Sequence, residues 1–214
     1  MNYWGGASAF GAREYGSLTD VAIPSYYPSD TQVTTGPTGL PVNIQTVKQF
    51  IVEYNLDSDD LLNVIIGAVT EQIENYLGRD ILTKTRKALY YNVGRVVYLM
   101  PVPVASITSV QSLDEDGTAT SLTLNTDYYV RGLKDNVQIY NIDAKGDSIL
   151  QVIYQSGYGA ASSVPAAIQQ AIIQESARQF KRRQDPGIES FNMVNAISPE
   201  TYALLQSYIV RRPV

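Results

Sequence analysis

The residues able to do chemistry are few, because the 214-residue chain contains no histidine and no cysteine. Without imidazole there is no Ser-His-Asp triad, no His-bound zinc, and no side chain whose ordinary pKa suits proton shuttling near neutrality. Without thiols there is no thiolate nucleophile, no Cys-based metal site and no disulfide. Carboxylates, lysine, tyrosine, serine and threonine remain. Asp114-Glu115-Asp116-Gly117 is a dense carboxylate run. A calcium loop needs oxygen ligands at alternate positions and a distal bidentate Glu, which this run lacks. It reads instead as a hairpin turn with solvated carboxylates. Asp57, Asp59 and Asp60 form a second group. They fall where a helix is expected to begin, so capping and the helix dipole account for them. Gly36-Pro37-Thr38-Gly39 is glycine-rich, but it has neither the lysine nor the following helix of a phosphate loop. Neither a Gly-x-Gly-x-x-Gly nor a Gly-x-Ser-x-Gly motif occurs. No catalytic residue, cofactor or metal ligand is assigned from these patterns.

Other patterns point to partners. Lys181-Arg182-Arg183 is the one dense basic patch. Its place at the end of an expected helix, where the dipole favours cations, explains it without a ligand. The functional alternative is contact with an acidic protein surface or with DNA phosphate, and three charges give only weak, salt-sensitive binding to phosphate. The formal net charge of −5 argues against a protein whose task is to grip nucleic acid. The 16 tyrosines offer stiff contact area with a polar tip, a residue type favoured at interfaces. Several aromatics crowd the first 45 residues: Tyr3, Trp4, Phe10, Tyr15, Tyr26 and Tyr27. That stretch also holds six glycines, four prolines and a single basic residue, Arg13, with no period of 3.6 or 2. It reads as an extended arm, too aromatic for a solvated linker and suited to lying against other chains; the alternative is a mobile tail.

The elements behind these patterns follow from periodicity. A short helix is expected over 45–54. A stronger one spans about 58–77, capped by Asp57 or Ser58, with an apolar stripe of Leu62, Ile65, Ile66, Val69, Ile73, Tyr76 and Leu77 and with Gly78 at its end. Short β-rich runs follow at Lys87–Asn92, Val96–Met100, Ile107–Leu113, Tyr128–Arg131, Val137–Tyr140 and Ile149–Tyr154, separated by turn signals such as Asp116-Gly117 and Lys134-Asp135-Asn136. Spacing this short predicts antiparallel hairpins. Helix returns after Ser163 and Pro165, with Ile168, Ala171, Ile172, Ala177 and Phe180 facing inward, and stops at Asp185-Pro186-Gly187. A last helix begins after Ser198-Pro199-Glu200 and runs through Tyr202, Leu205, Tyr208 and Ile209. Helices, hairpins, then helices make an α+β fold. The expected organisation is an arm over 1–45, a domain over 46–184 and a C-terminal segment over 185–214. The apolar share of 44% with 17% charge is that of a globular protein, and no apolar run approaches the roughly 18–20 residues of a spanning helix. No secretory signal is visible at the N-terminus, so the chain is expected to be made in a cytoplasm and, at least at first, to stay there.

Placed in order, four passages resemble the tailed-bacteriophage head-tail connector (head-completion adaptor) family. They are Asp59-Asp60-Leu61-Leu62 through Ala68 to Ile73-Glu74-Asn75-Tyr76-Leu77-Gly78-Arg79; Pro103-Val104-Ala105-Ser106-Ile107-Thr108-Ser109-Val110; Asp127-Tyr128-Tyr129-Val130; and Val152-Ile153-Tyr154-Gln155-Ser156-Gly157-Tyr158-Gly159 with Val164-Pro165-Ala166-Ala167-Ile168-Gln169-Gln170-Ala171-Ile172. The resemblance covers about residues 46–184; the arm before it and the tail beyond Asp185 have no counterpart. It implies a structural protein of the virion, not an enzyme. Such a protein forms a ring of copies, commonly twelve, at the head-tail junction. It binds the portal protein and the tail or its stopper, and genomic DNA passes through its channel without specific binding. Assembly in the host cytoplasm, no membrane contact and no cofactor go with that picture. The rival from the residues alone is a tail-associated carbohydrate-binding or carboxylate-based hydrolytic module, since glycosidases work with two carboxylates and no histidine.

Overall fold

The computed structural model describes residues 26–52, 58–91, 93–140, 142, 149–184 and 197–210. Among these residues four helices, α1 (Ile44–Ile51), α2 (Asp59–Leu77), α3 (Ala166–Gln184) and α4 (Pro199–Leu205), pack on one another. The apolar stripe expected on the second helix is the buried one: Leu62, Ile66, Val69, Ile73 and Leu77 all face inward. They meet Ile168, Ala171, Ile172, Ala177 and Phe180 of α3 in one core. Each fully buried Leu, Ile, Val or Phe side chain among them is worth about 1.5–3 kcal/mol. Gly78 ends α2 in the left-handed conformation, where glycine carries no Cβ penalty. Ser58 holds the N-cap position of α2 without a side-chain hydrogen bond; Asp57 lies outside the described residues. Ser198 does cap α4, its Oγ accepting from the Thr201 N–H at 3.3 Å. Pro165 precedes α3, and its carbonyl accepts from the N–H groups of Ile168 and Gln169.

Among the described residues eight strands form two antiparallel sheets: β1 (Asp30–Thr35), β2 (Lys84–Tyr90), β3 (Val96–Tyr98), β4 (Val104–Leu113), β5 (Ala119–Ser121), β6 (Tyr129–Arg131), β7 (Gln138–Tyr140) and β8 (Ile149–Ser156). The larger sheet has the order β1-β2-β8-β4-β5 and the smaller β3-β7-β6. A second core, with Tyr90, Val97, Leu99, Ile139, Leu150, Val152 and Tyr154 fully buried, lies between them. The architecture is α+β, as the order of elements predicted. Two of the expected hairpins are present, β4–β5 across Asp114–Gly117 and β6–β7 across Lys134–Asn136. The larger sheet is otherwise built by long-range pairing: β8 sits between β2 and β4, with Val152 opposite Ala88 on one side and Val110 on the other. The chain passes from β2 in one sheet to β3 in the other, so Val93-Gly94 lies in a crossing between sheets.

Two strands carried no readable period. All residues of β1 and β5 are exposed, so neither shows the inward-outward alternation that marks a half-buried strand. They are held by ladders to β2 and β4. The pairing of β1 also moves the edge of the packed fold. Ser29 N–H donates to the Leu89 carbonyl at 2.9 Å, Pro41 and Val42 are buried, and the Asn43 Oδ1 caps α1 by accepting from the Gln45 N–H at 2.8 Å. The stretch Ser29–Asn43, expected as an arm lying on other chains, is therefore integrated into this chain's own sheet and helix layer. The Gly-Tyr passage after β8 has a similar tertiary reason. At Gly157, with φ +112°, a Cβ would stand 2.3 Å from the Leu82 carbonyl oxygen, and the adjacent Tyr158 N–H donates to Ile81 at 3.1 Å.

Candidate functional site

The densest concentration of charge lies where the helix layer meets the larger sheet. The left-handed Gly78 ends α2, and the two residues after it, Arg79 and Asp80, take different partners. Asp80, 1% exposed, accepts from Arg86 Nε at 2.6 Å and Nη2 at 2.7 Å, and also from the Ser156 hydroxyl. Lys84 Nζ stands 3.3 Å from Asp80 and also donates to Glu74 of α2, whose other oxygen accepts from the Ile81 N–H at 2.9 Å. Lys84 and Arg86 lie two apart on β2 and so share one face of the strand. Burial pushes the Asp80 carboxyl up; the hydrogen bonds from Arg86 and Ser156 and the charges of Arg86 and Lys84 outweigh it, leaving Asp80 below the ordinary carboxylate value. It is therefore a carboxylate at neutral pH.

Arg79 makes the opposite connection. Its guanidinium pairs with both Asp135 oxygens, at 2.6 and 3.0 Å, and its Nε–H donates to the Tyr208 carbonyl. One side chain thus ties α2 to the β6–β7 turn and to the C-terminal segment, whose Val210 N–H donates to Leu77 at 3.0 Å. Two tyrosines that offered hydroxyl chemistry are used in the same way. Tyr90 donates to the Tyr98 carbonyl at 2.8 Å and Tyr154 to that of Met100. Burial raises both phenols above their ordinary value, so both remain protonated donors. The cluster can hold helices and sheets in fixed relation; every carboxylate in it is matched by a cation or a backbone donor. Beside it runs a cleft of about 470 Å³, between Val33, Pro37, Leu40 and Pro41 on one wall and Gly67, Glu71 and Asn75 of α2 on the other.

The residues singled out in the sequence scatter over the molecule. Tyr3, Trp4, Phe10 and Tyr15 lie outside the described residues. Tyr26 is half exposed, and its carbonyl accepts from the Tyr98 N–H at 2.7 Å. Tyr27 stacks on Tyr98 with ring centroids 5.5 Å apart. Lys181 and Arg182 are exposed in the last turn of α3, as a solvated helix end predicts; Arg183 follows in the same helix. Asp114 to Gly117 form an exposed turn closed by the Gly117 N–H donating to Asp114 at 2.8 Å. Asp59 does more than favour a dipole: it accepts from Lys48 Nζ at 2.6 Å and ties α1 to α2. Gly36–Gly39 is a loop on the cleft wall. Among the described residues no group of three His, Cys, Asp or Glu is placed to hold a metal ion, and no helix is long and apolar enough to cross a membrane. Sequence reasoning missed the Glu74, Asp80, Lys84 and Arg86 network. The available signal was Lys84-Thr85-Arg86, two cations on one face at the start of a strand.

A model of the family described as head completion protein matches residues 42–186, more than half of the chain. The chain belongs to the head completion protein family. The match begins where Val42 enters the core and ends just after α3, so it takes in the sheet core, the charge network and the helical core except for Ile197 and Leu205. It agrees with the connector resemblance carried by the passages at Asp59–Arg79, Pro103–Val110, Asp127–Val130 and Val152–Ile172. The fold of this head completion protein is also similar to that of chains in solved particle structures. One is in the neck of an empty GTA particle computed with C6 symmetry, with TM-score 0.69 and 15% identity. Others are in the virion of a native gene transfer agent particle and in the neck of the native particle computed with C12 symmetry, each with TM-score 0.66 and 16% identity. In all three the likeness covers 86% of this chain and 97% of the other. At such identity it is a likeness of fold. No curated protein matches the sequence.

Proposed function

We propose that this head completion protein is a structural adaptor of a tailed phage, seated as a ring under the portal vertex, where it continues the DNA channel and presents a surface to the tail or its stopper. The observation that carries this reading is the family match over residues 42–186. The fold shared with chains from particle necks supports it, and the neck computed with C12 symmetry supports twelve copies in the ring. The charge agrees: each copy adds −5, and a channel wall without cationic dominance lets DNA slide instead of stick. The side chains agree as well, since the carboxylates, lysine and tyrosines of the densest polar cluster are consumed in fastening helices to sheets. In this reading Lys181, Arg182 and Arg183, together with the aromatics Tyr3, Trp4, Phe10, Tyr15, Tyr26 and Tyr27, contact neighbouring proteins, and the adaptor performs no catalysis.

The test is electron microscopy of particles lacking the protein, beside wild type. The expected result is heads that package DNA, because the chain carries no motor residues, but then leak it or remain tailless. Purified protein added to portal-bearing heads should occupy one vertex in multiple copies and should not bind free DNA at physiological salt. Normal tailed, infectious knockout particles would refute the reading.

A further inference from the structure

Among the described residues the larger sheet ends in two open edges, one at each side. Natural sheets guard such edges with lysine, proline, inward charges or bulges, because an unpaired row of N–H and C=O groups templates pairing with another chain. On one side stands β1, with every residue of Asp30–Thr35 exposed. Its sequence, Asp-Thr-Gln-Val-Thr-Thr, holds one charge and no proline, and its ladder stays regular from Asp30 to Val33 before the register shifts. On the other side stands β5, exposed throughout, within a run Thr118–Thr123 that has neither charge nor proline. Val33 of the β1 edge, 40% exposed, also forms part of the wall of the cleft beside α2.

We propose that the two edges are complementary: β5 of one copy lies along β1 of the next, so that the sheet continues from subunit to subunit around the ring. The proposal rests on the ring reading above. A contact between two different patches of the same chain is the kind that closes a ring, whereas β1 against β1 would stop at a dimer. Every neighbouring pair from β1 through β2, β8 and β4 to β5 is antiparallel, so β1 and β5 run in the same sense and the junction is parallel. A three-residue parallel ladder is weak on its own. Free subunits therefore stay apart, and the junction forms when copies gather at one vertex and their effective concentration rises. A neighbour on β1 also covers the adjoining cleft.

The absence of native cysteine makes the test direct. Full-length variants Thr31→Cys, Thr120→Cys and the double variant are assembled into particles, mildly oxidised and run on non-reducing gels. Adjacent strands bring Cα atoms to disulfide distance. The double variant is expected to give a ladder of multimers up to the ring, and each single variant to stay monomeric. Adding Val33→Lys to the double variant should abolish the ladder and leave the melting temperature of the free subunit unchanged. Rings visible at the vertex but no ladder, from this pair or from the other pairings of Asp30–Val33 with Ala119–Ser121, would overturn the edge contact and leave the ring reading standing. Dimers from Thr31→Cys alone would also overturn it, and wild-type particles with no ring would overturn both readings.

Discussion

Replacing Asp80 by Asn removes one negative charge from the junction of helices and sheet with almost no change of shape. Asp80 is 1% exposed and takes two hydrogen bonds from Arg86, one from Ser156 and the charge of Lys84. The Arg86 side chain is itself only 13% exposed, so the variant leaves a desolvated guanidinium without its counter-charge. Breaking one side of a buried pair costs about 3–5 kcal/mol. For a chain of this size that is roughly 6–20 °C of melting temperature. Urea unfolding of the isolated subunit, followed by circular dichroism, measures the loss as a lowered midpoint at unchanged slope. The double variant Asp80→Asn, Arg86→Met should recover much of it, because an apolar residue in place of the unpaired cation needs no counter-charge. The reasoning fails if Asp80→Asn costs less than about 1 kcal/mol, the worth of an exposed pair, or if the second substitution deepens the loss.

The same carboxyl sets the acid limit. Its folded pKa lies below its unfolded value, so its contribution is present above about pH 4 and fades as pH falls through the folded value; a pH series on wild type and Asp80→Asn should converge at low pH. Tyr90 and Tyr154 are shifted upward, so their contribution is complete below about pH 10 and fades as pH rises from there through the higher folded values, read as tyrosinate absorbance appearing together with unfolding. Deleting residues 1–25 should leave the melting temperature of the isolated subunit in place and weaken assembly, whereas deleting 1–45 should lower it, since that cut removes β1, buried Val42 and the Asn43 cap. Gly157→Ala should destabilise by several kcal/mol in urea titration, because its Cβ would meet the Leu82 carbonyl at 2.3 Å in a positive-φ conformation. Lys181, Arg182 and Arg183 together changed to Gln should reduce attachment to portal-bearing heads and flatten its salt dependence; unchanged attachment would leave them as a solvated helix end.

What could be read from the sequence was whatever repeats at short range. The stripe from Leu62 to Leu77 and the Gly78 stop fix α2, and the inward face from Ile168 to Phe180 fixes α3, because helix contacts recur every three or four residues. The turn at Asp114–Gly117 was legible for the same local reason. The strand β1 was not, because an edge strand exposed on both faces is specified by its partner Lys84–Tyr90 and not by its own pattern. Nor was the charge network: Asp80 and Ser156 stand 76 residues apart, and only the fold brings them together. The glycines and prolines from Pro28 to Pro41 gave no hint that β1 runs between them or that Val42 enters the helical core.

The central place of β8 has a consequence for the order in which the protein is made. Its two sheet partners, β2 and β4, are both synthesised before it, and neither pairs with the other. Until residues 149–156 leave the ribosome, a nascent chain carries two inner strand edges with nothing between them. Closing that gap joins segments far apart in sequence, which makes folding slower than zipping local hairpins. A chain arrested before Ile149 would offer its unfilled slot to any neighbouring strand. Translation that ends early therefore yields a sticky fragment instead of a smaller soluble domain.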